Sequence, residues 1–323
     1  MTTPSAELDR VVRLVRAKPG TPAAEHLDPL TGGDPAAVLD ALVALNDVAA
    51  AAGDGELYHA VLFAFFAFDD DRAWASPRAW LDAWRAAGAP DNPGSPLRQG
   101  VEAMFRTGPA ARALATLGPH VADFRDGKGP RPIAARALEE AYLFARRGGA
   151  LDPGWFELAS SMLDAHPDLA LSLRHIVALT DHPRRLDFLL ERVERGDAWP
   201  GAYEGLGRIA DERAEEVVLR VLAEGADADA LEAARGLAQR GAKSRAPLVV
   251  EAVCRVIPNA GKVRVNLNQL RDALLPLATP EDAPKLRAAA KLARKAEGFV
   301  SAKERTEFAR DVDGLAKLIA ERG

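Results

Sequence analysis

The sequence predicts an all-α fold, and three observations support that prediction. Between residues 167 and 257, apolar residues recur at the i, i+3 or i+4, i+7 spacing that lines one face of a helix. Helix start signals recur as well, because a capping residue or glycine precedes a proline at six places. Runs of alternating β-branched residues, which are typical of strands, are absent. The six start signals are Thr21-Pro22, Asp34-Pro35, Ser76-Pro77, Gly108-Pro109, Asp152-Pro153 and Thr279-Pro280.

The N-terminal part of the chain has helical segments but no visible repeat. Two stretches rich in proline and glycine, 88–96 and 126–132, are candidate linkers. We therefore predict an N-terminal helical region at 1–126 and a region of helical repeats at 132–323, with a basic cap at its C-terminal end. Near that end, Ser301 and Glu304 have the spacing of a capping box.

Short amphipathic helices are predicted over 169–177, 186–193, 202–210, 214–222 and 230–238. The links between them are only a few residues long, which favours antiparallel helix pairs. The segment 247–257 is apolar on nearly all sides. We expect this helix to be covered on both faces and to lie in the middle of the stack.

The helix pairs also repeat along the sequence. Residues 181–190 can be laid on residues 211–220 with an offset of 30, and each segment begins with an aspartate that follows an apolar helix. The stretch 202–222 resembles a bacterial HEAT-like repeat, because Leu206-Gly207-Arg208-Ile209 is followed by the turn residue Asp211. Glu216 stands where that family often has proline, but Arg245-Ala246-Pro247-Leu248 has the proline. The resemblance implies a right-handed α-solenoid that acts as a scaffold.

Composition bounds the class of protein. The 323 residues are 48% hydrophobic and 28% charged, which excludes wholesale disorder. The single cysteine, Cys254, excludes an internal disulfide. The longest apolar run, 60–68, is too short to span a bilayer, and no signal peptide is visible, so we expect a cytoplasmic protein with no membrane partner. Arginine outnumbers lysine 33 to 9, which is typical of a GC-rich bacterial genome.

Charge is distributed unevenly along the chain. Residues 1–238 have a balance of −12, whereas residues 239–323 have 17 Lys and Arg against 10 Asp and Glu, a balance of +7. Charged residues that serve only to keep a surface solvated would not need to be separated by sign along the chain. The asymmetry therefore indicates a basic surface near the C-terminus, which could attract an acidic partner or equally form the solvated cap of the stack.

No group of residues has the pattern of an active site. The six histidines are too scattered for a metal motif, and Asp69-Asp70-Asp71 lacks the spacing of a calcium loop. Glu139-Glu140 and Glu215-Glu216 are interpreted as solvated faces, and Gly127-Lys128-Gly129 as a turn. We therefore expect no catalytic, cofactor-binding or metal-binding residue, and no enzymatic activity.

Two sets of residues are candidates for binding a partner. Arg287, Lys291 and Arg294 share one face of a predicted helix, with Lys295 beside them. The second set is the pair Trp80 and Trp84, which lies within an aromatic cluster and has i, i+4 spacing; it could form a local core or an anchor for a partner protein.

The predicted function is a non-enzymatic scaffold, adaptor or regulatory protein, for example one that neutralises a toxin by binding it. The expected partner is another protein with an acidic patch, and the oligomeric state is left open. The alternative is nucleic-acid binding through the basic C-terminal end, including the type of the HEAT-like DNA glycosylases. Trp155 and Trp199 lie in the acidic part of the chain, which would oppose phosphate contacts there. A HEAT-like enzyme of the bilin lyase type is a third hypothesis, which no group of residues supports.

Overall fold

The computed structural model describes residues 35–52, 70–86, 88, 101, 104–105 and 110–322. All regular structure in these ranges is α-helix or short 3₁₀ helix, without a strand, so the prediction of an all-α fold is confirmed. Packing divides the chain into two units, Met1–Ile176 and Val177–Gly323. The boundary predicted at 126–132 lies inside the first of these units and stays a prediction; residues 126–130 form a short turn between two helices that pack on each other, and the second of these helices begins at Arg131.

The first unit contains five described helices and the start of a sixth. They are α1 (Pro35–Ala52), α2 (Asp71–Ala86), α3 (Ala110–Arg125), α4 (Arg131–Arg146), α5 (Pro153–Met162) and α6 (Ala170–Leu179). Helix α6 crosses into the second unit, and a 3₁₀ turn, Pro167–Leu169, precedes it.

The second unit consists of the remaining helices and three 3₁₀ turns. The helices are α7 (Arg185–Glu194), α8 (Pro200–Arg208), α9 (Glu212–Glu224), α10 (Asp227–Arg240), α11 (Ala246–Val256), α12 (Ala260–Val263), α13 (Leu267–Leu274), α14 (Ala283–Ala293) and α15 (Ala302–Ala320). The 3₁₀ turns are Lys243–Arg245, Ile257–Asn259 and Pro280–Asp282.

Side-chain caps begin several helices where the sequence predicts them. Asp152 accepts a hydrogen bond from the backbone N–H of Gly154 at 2.8 Å, and Asp211 accepts one from the N–H of Arg213 at 2.9 Å. Asp181 does not take the equivalent position in its repeat. The chain turns once more through His182, and α7 begins only at Arg185. The prediction that each aspartate begins a helix is therefore right for Asp211 and wrong for Asp181.

Two predicted start signals differ from the structure. Ser76-Pro77 begins no helix, because α2 already starts at Asp71 and runs through both residues. At Ser301, the hydroxyl oxygen accepts the N–H of Glu304 at 3.1 Å, but the Glu304 carboxylate accepts the N–H of Val300 at 2.8 Å instead of that of Ser301. One hydrogen bond of the predicted capping box is therefore present, and the other goes to the residue before Ser301.

Helix α10 is the centre of the second unit. It packs against α8, α9, α11 and α13, and residues 230–238 are all buried. Small residues allow this close packing: a Cβ added to Gly236 would lie 2.3 Å from the carbonyl oxygen of Glu204, and one added to Gly207 would lie 2.9 Å from the Cα of Gly236. The α8 and α10 backbones therefore touch where glycines face each other.

The expectation that 247–257 is covered on both faces is wrong. Helix α11 leaves Glu251 and Arg255 exposed, and 44% of Leu248 remains accessible. The helix buried on all sides is α10, which the sequence makes look amphipathic because it carries Glu232 and Arg235. Both side chains are buried in the unit, where they form an ion pair with each other instead of facing solvent.

Helix α15 covers the C-terminal end of the second unit. It packs against α13, α14 and the turn Pro280–Asp282, and buries Phe308, Val312, Leu315 and Ile319 on that side. Its opposite side is exposed, with lysine, arginine, aspartate and glutamate side chains.

Candidate functional site

The structure places the predicted basic residues together at the exposed side and C-terminal end of α14. Arg287 and Lys291 lie within the helix, Arg294 is its C-cap residue, and Lys295 follows in the next turn. All four are exposed; we call them the α14 basic face. Cations at a helix C-terminus interact favourably with its free carbonyl groups, which stabilises Arg294 and Lys295 at this end.

The buried side of α14 explains why the cations point outward. Leu286, Ala289, Ala290 and Ala293 are almost inaccessible and form the stripe that packs on α15, α11 and the turn Ile257–Asn259. The charged positions lie beside this stripe on the solvent-exposed part of the helix, at i, i+4 and i+7. The helix therefore holds the α14 basic face toward solvent by burying its alanine-rich stripe.

None of the four cations forms an ion pair or hydrogen bond with another residue that the structure describes. Glu297 is the only acidic residue in the sequence between 283 and 303, and its carboxylate lies 3.6 Å from the ammonium group of Lys262. Lys285, on the same helix, lies 3.6 Å from Asp282. The α14 basic face is therefore a concentration of positive charge with no internal compensation among these residues.

The structure describes the side chain of only one tryptophan of the predicted pair. Trp80 and Trp84 both lie on α2, as their spacing predicts, and Trp84 is half-buried, whereas the side chain of Trp80 lies outside the described residues. Trp74, one turn and a half earlier, is completely buried. Tyr58, Phe63, Phe65, Phe66 and Phe68 of the predicted aromatic cluster also lie outside the described residues.

A buried network of charged groups joins α8, α10 and α13, and the sequence interpretation missed it. Arg235 is 1% exposed; its Nη1 lies 3.3 Å from Oε2 of Glu204 and also contacts Glu232, and its Nη2 lies 3.4 Å from Asp272. Arg208 donates to Glu204 at 2.7 Å. The network thus links α8, α10 and α13 of the second unit through one buried guanidinium.

The charges in this network hold each other ionised. Burial opposes ionisation of Glu204, but Arg235 and Arg208 outweigh it and hold the pKa of that carboxyl below its ordinary value. Burial also works against the charged guanidinium of Arg235, but Glu204 and Glu232 raise its pKa above the ordinary value. These ion pairs join the three helices, and Glu204, Glu232 and Asp272 all contact Arg235.

Two carboxylates predicted to be solvated are paired instead. Glu140 is buried and accepts a hydrogen bond from Arg136 at 2.5 Å. Glu215 accepts from Arg245 at 2.6 Å and Arg240 at 3.1 Å, and the hydrogen bond from Arg245 lowers the pKa of the Glu215 carboxyl. Glu139 and Glu216 are exposed, as predicted, although Glu139 also accepts a hydrogen bond from Arg136 at 2.7 Å. Asp70 accepts the N–H of Arg72 at 2.8 Å beside the start of α2.

The described histidines have structural surroundings. Burial and, next, the positive charge of Arg85 lower the pKa of His120. The ring of His166 packs against Phe124 in a tilted arrangement at a centroid distance of 4.8 Å, and His175 stacks on Tyr142 at 4.6 Å. His182 accepts the N–H of Arg184 at its Nδ1, 3.1 Å away. Each imidazole therefore contributes to packing or to a turn; His26 and His59 lie outside the described residues.

Cys254 is half-buried on α11. Burial raises the pKa of its thiol to about 11, so the group is protonated at neutral pH and is a poor nucleophile. Among the residues that the structure describes, no cluster of three or more His, Cys, Asp or Glu side chains could hold a metal ion. None of the described helices combines the length and the apolar character needed to cross a bilayer.

Searches with this chain found no matching protein-family model, no matching curated protein and no matching solved structure.

Proposed function

We propose that the chain is a non-enzymatic, protein-binding scaffold or regulatory protein whose α14 basic face docks an acidic protein. The observation that carries the proposal is the set of four exposed cations that have no ion pair among the described residues. A surface of this kind steers an acidic partner and accelerates association. A protein that neutralises a toxin would be one instance, since it needs only a complementary surface.

A stack of HEAT-like helix pairs is the architecture we propose for residues 177–323. Alternate helices α8, α10 and α13 pack in succession, and α9, α11 and α14 form a second succession. Polar contacts also recur between residues about one repeat apart: Arg240 donates to the carbonyl of Ile209, 31 residues away, and Arg245 to Glu215, 30 residues away. Both observations support the offset of 30 residues seen in the sequence and a stacked arrangement of helix pairs, whose right-handed sense is what the HEAT-like resemblance implies.

Charge reversal of the α14 basic face tests the proposed function. The variant R287E/K291E/R294E/K295E should capture its partner protein from the native cell at least about tenfold less well at low salt, because electrostatic steering is lost. Binding by the variant should also respond less to added salt. Affinity capture followed by a binding titration with the captured protein measures both effects. Unchanged affinity and salt response would contradict the proposal and leave α14 as a solvated cap.

A control variant should reverse the same number of charges elsewhere on the second unit. We choose exposed cations away from α14, so that the net charge of the two variants is equal. The control residues are Arg195, Arg213, Arg220 and Lys243. Partner capture by this control should stay close to that of the parent, and both variants should retain the parent's helical circular dichroism.

Nucleic-acid binding is the second candidate, because phosphate groups would also be attracted to the α14 basic face. Its glycosylase form is disfavoured by the packing of two tryptophans: Trp155 is 4% exposed and Trp199 is 6% exposed, so neither is available to stack on a base. Filter binding of DNA and RNA at low and moderate salt distinguishes the two candidates. If a nucleic acid binds at moderate salt as strongly as the captured protein does, nucleic-acid binding is the favoured function.

A further inference from the structure

A second segment of the chain extends the α14 basic face. Gly298, in the loop after α14, has φ +87°, and a Cβ added there would lie 2.6 Å from the backbone nitrogen of Lys262. A Cβ added to Gly261 would lie 2.7 Å from the carbonyl oxygen of Glu297. The two glycines therefore let the loop 297–299 lie directly on residues 261–262, which brings two distant segments of the sequence together.

This second segment carries two exposed cations, Lys262 and Arg264. Arg264 has φ 54° and ψ 42°, in the left-handed region that favours glycine or asparagine, yet the chain has a long charged side chain there. Its guanidinium has no hydrogen bond to any residue that the structure describes. Glu297, which pairs with Lys262, is the one acidic group of the loop. Positive charge is therefore in excess on both sides of the glycine contact.

Two exposed apolar side chains accompany these cations. Leu292 is 59% exposed and lies on α14 one turn before Lys295. Val300 is 96% exposed, because its neighbour Phe299 packs on Phe308 at a centroid distance of 5.4 Å and so anchors the loop while Val300 projects outward. The surface thus combines cations with apolar anchors.

We propose that the α14 basic face, the second segment (Lys262 and Arg264) and the apolar pair (Leu292 and Val300) form one docking surface for an acidic peptide segment with apolar residues in it. This inference rests on the proposed function and specifies the chemistry of the partner. Charge complementarity selects acidic residues, and Leu292 and Val300 select apolar side chains that would displace water from them. A phosphate backbone would use the cations but gain nothing from Leu292 and Val300.

The test uses a fluorescein-labelled, Asp- and Glu-rich peptide with a pair of leucines at its centre, and the same peptide with serines in place of the leucines. Fluorescence anisotropy measures the affinity of the full chain for each peptide. We expect the leucine peptide to bind several-fold more tightly than the serine peptide. The variant L292S/V300S should bind both peptides alike, with the affinity of the parent for the serine peptide.

The variant K262E/R264E tests the second segment. It should bind the leucine peptide about tenfold more weakly than the parent does, whereas the control R220E/K243E, with the same change of charge, should bind it like the parent. If K262E/R264E binds like the parent while the reversal of the α14 basic face abolishes binding, the further inference fails and the proposed function stands. If no variant weakens binding, both fail.

Two other occupants are distinguished in the same assay. Vesicles of phosphatidylserine in phosphatidylcholine and a DNA duplex are titrated against the parent and K262E/R264E. Binding of either probe that depends on Lys262 and Arg264, without binding of the leucine peptide, would overturn the assignment to an acidic peptide. Equal affinity of the parent for the two peptides would overturn it as well.

Discussion

Leu206→Asp is expected to destabilise the protein severely. Leu206 is completely buried on α8, next to the contact between α8 and α10, so the variant loses a packed side chain and buries an unpaired carboxylate. Together these effects should lower the free energy of unfolding by about 4 kcal/mol or more, a fall in melting temperature on the order of 10 °C. Val218→Asp, at a completely buried position on α9, should behave in the same way.

A thermal melt followed by circular dichroism measures this effect. The matched control is Leu248→Asp, because Leu248 is 44% exposed on α11 and its replacement should change the melting temperature little. If Leu206→Asp and Val218→Asp both melt within a degree or two of the parent, the packing described for α8 and α9 is wrong.

Removal of the buried guanidinium is the second large effect. In Arg235→Met the carboxylates of Glu204 and Glu232 remain in place without their shared partner. Breaking a buried ion pair on one side costs about 3–5 kcal/mol, because the remaining charge stays buried without its partner. Arg208 still donates to Glu204 and Gln269 to Glu232, so we expect a loss near the lower end of that range. The control Arg213→Met removes an exposed arginine that pairs with Asp187 and should cost less than about 1 kcal/mol.

The pH dependence of unfolding separates this mechanism from a simple loss of packing. In the parent the pKa of Glu204 is held below its ordinary value, so its contribution to stability is complete above about pH 4.3 and is lost as the pH falls below that. Without Arg235, Arg208 is the only cation of the network left on Glu204, so burial gains weight and we expect the pKa of Glu204 to move above its ordinary value. The variant should therefore regain stability as the pH falls from 7 toward 5, while this group leaves the parent unchanged. Parallel curves over that range would contradict the mechanism.

The sequence predicts the helices well because the signals for them are local. Apolar periodicity places α8, α9 and α10 within a few residues of their observed ends, and Asp152 and Asp211 cap helices as expected. Proline signals are less reliable alone: Ser76-Pro77 lies inside α2, because Asp70 and Asp71 already begin that helix. The cations of α14 were predictable for the same local reason, since their spacing fixes the side of the helix on which they lie.

The buried network was not predictable from local pattern, because its partners lie far apart in sequence. Arg235 is 31 residues from Glu204 and 37 from Asp272, and only the packing of α8, α10 and α13 brings them together. One signal was present: the separation of 31 residues between Glu204 and Arg235 is close to the offset of 30 seen in the sequence, whereas the separation of 37 residues between Arg235 and Asp272 is not. The contact between Gly298 and Lys262 has no such signal, since two glycines in separate loops give no periodic pattern.

The central claim is that a protein partner docks on the exposed side of α14. Site-specific photo-crosslinking in the native cell tests it most directly, with a photoreactive residue at Ala288, which is exposed on α14 beside Arg287. The control places the same residue at Gly314 on α15, where an added Cβ meets open space. We predict one discrete protein adduct from position 288, lost in R287E/K291E/R294E/K295E and absent from position 314. No adduct at 288, or equal adducts at both positions, would contradict the claim.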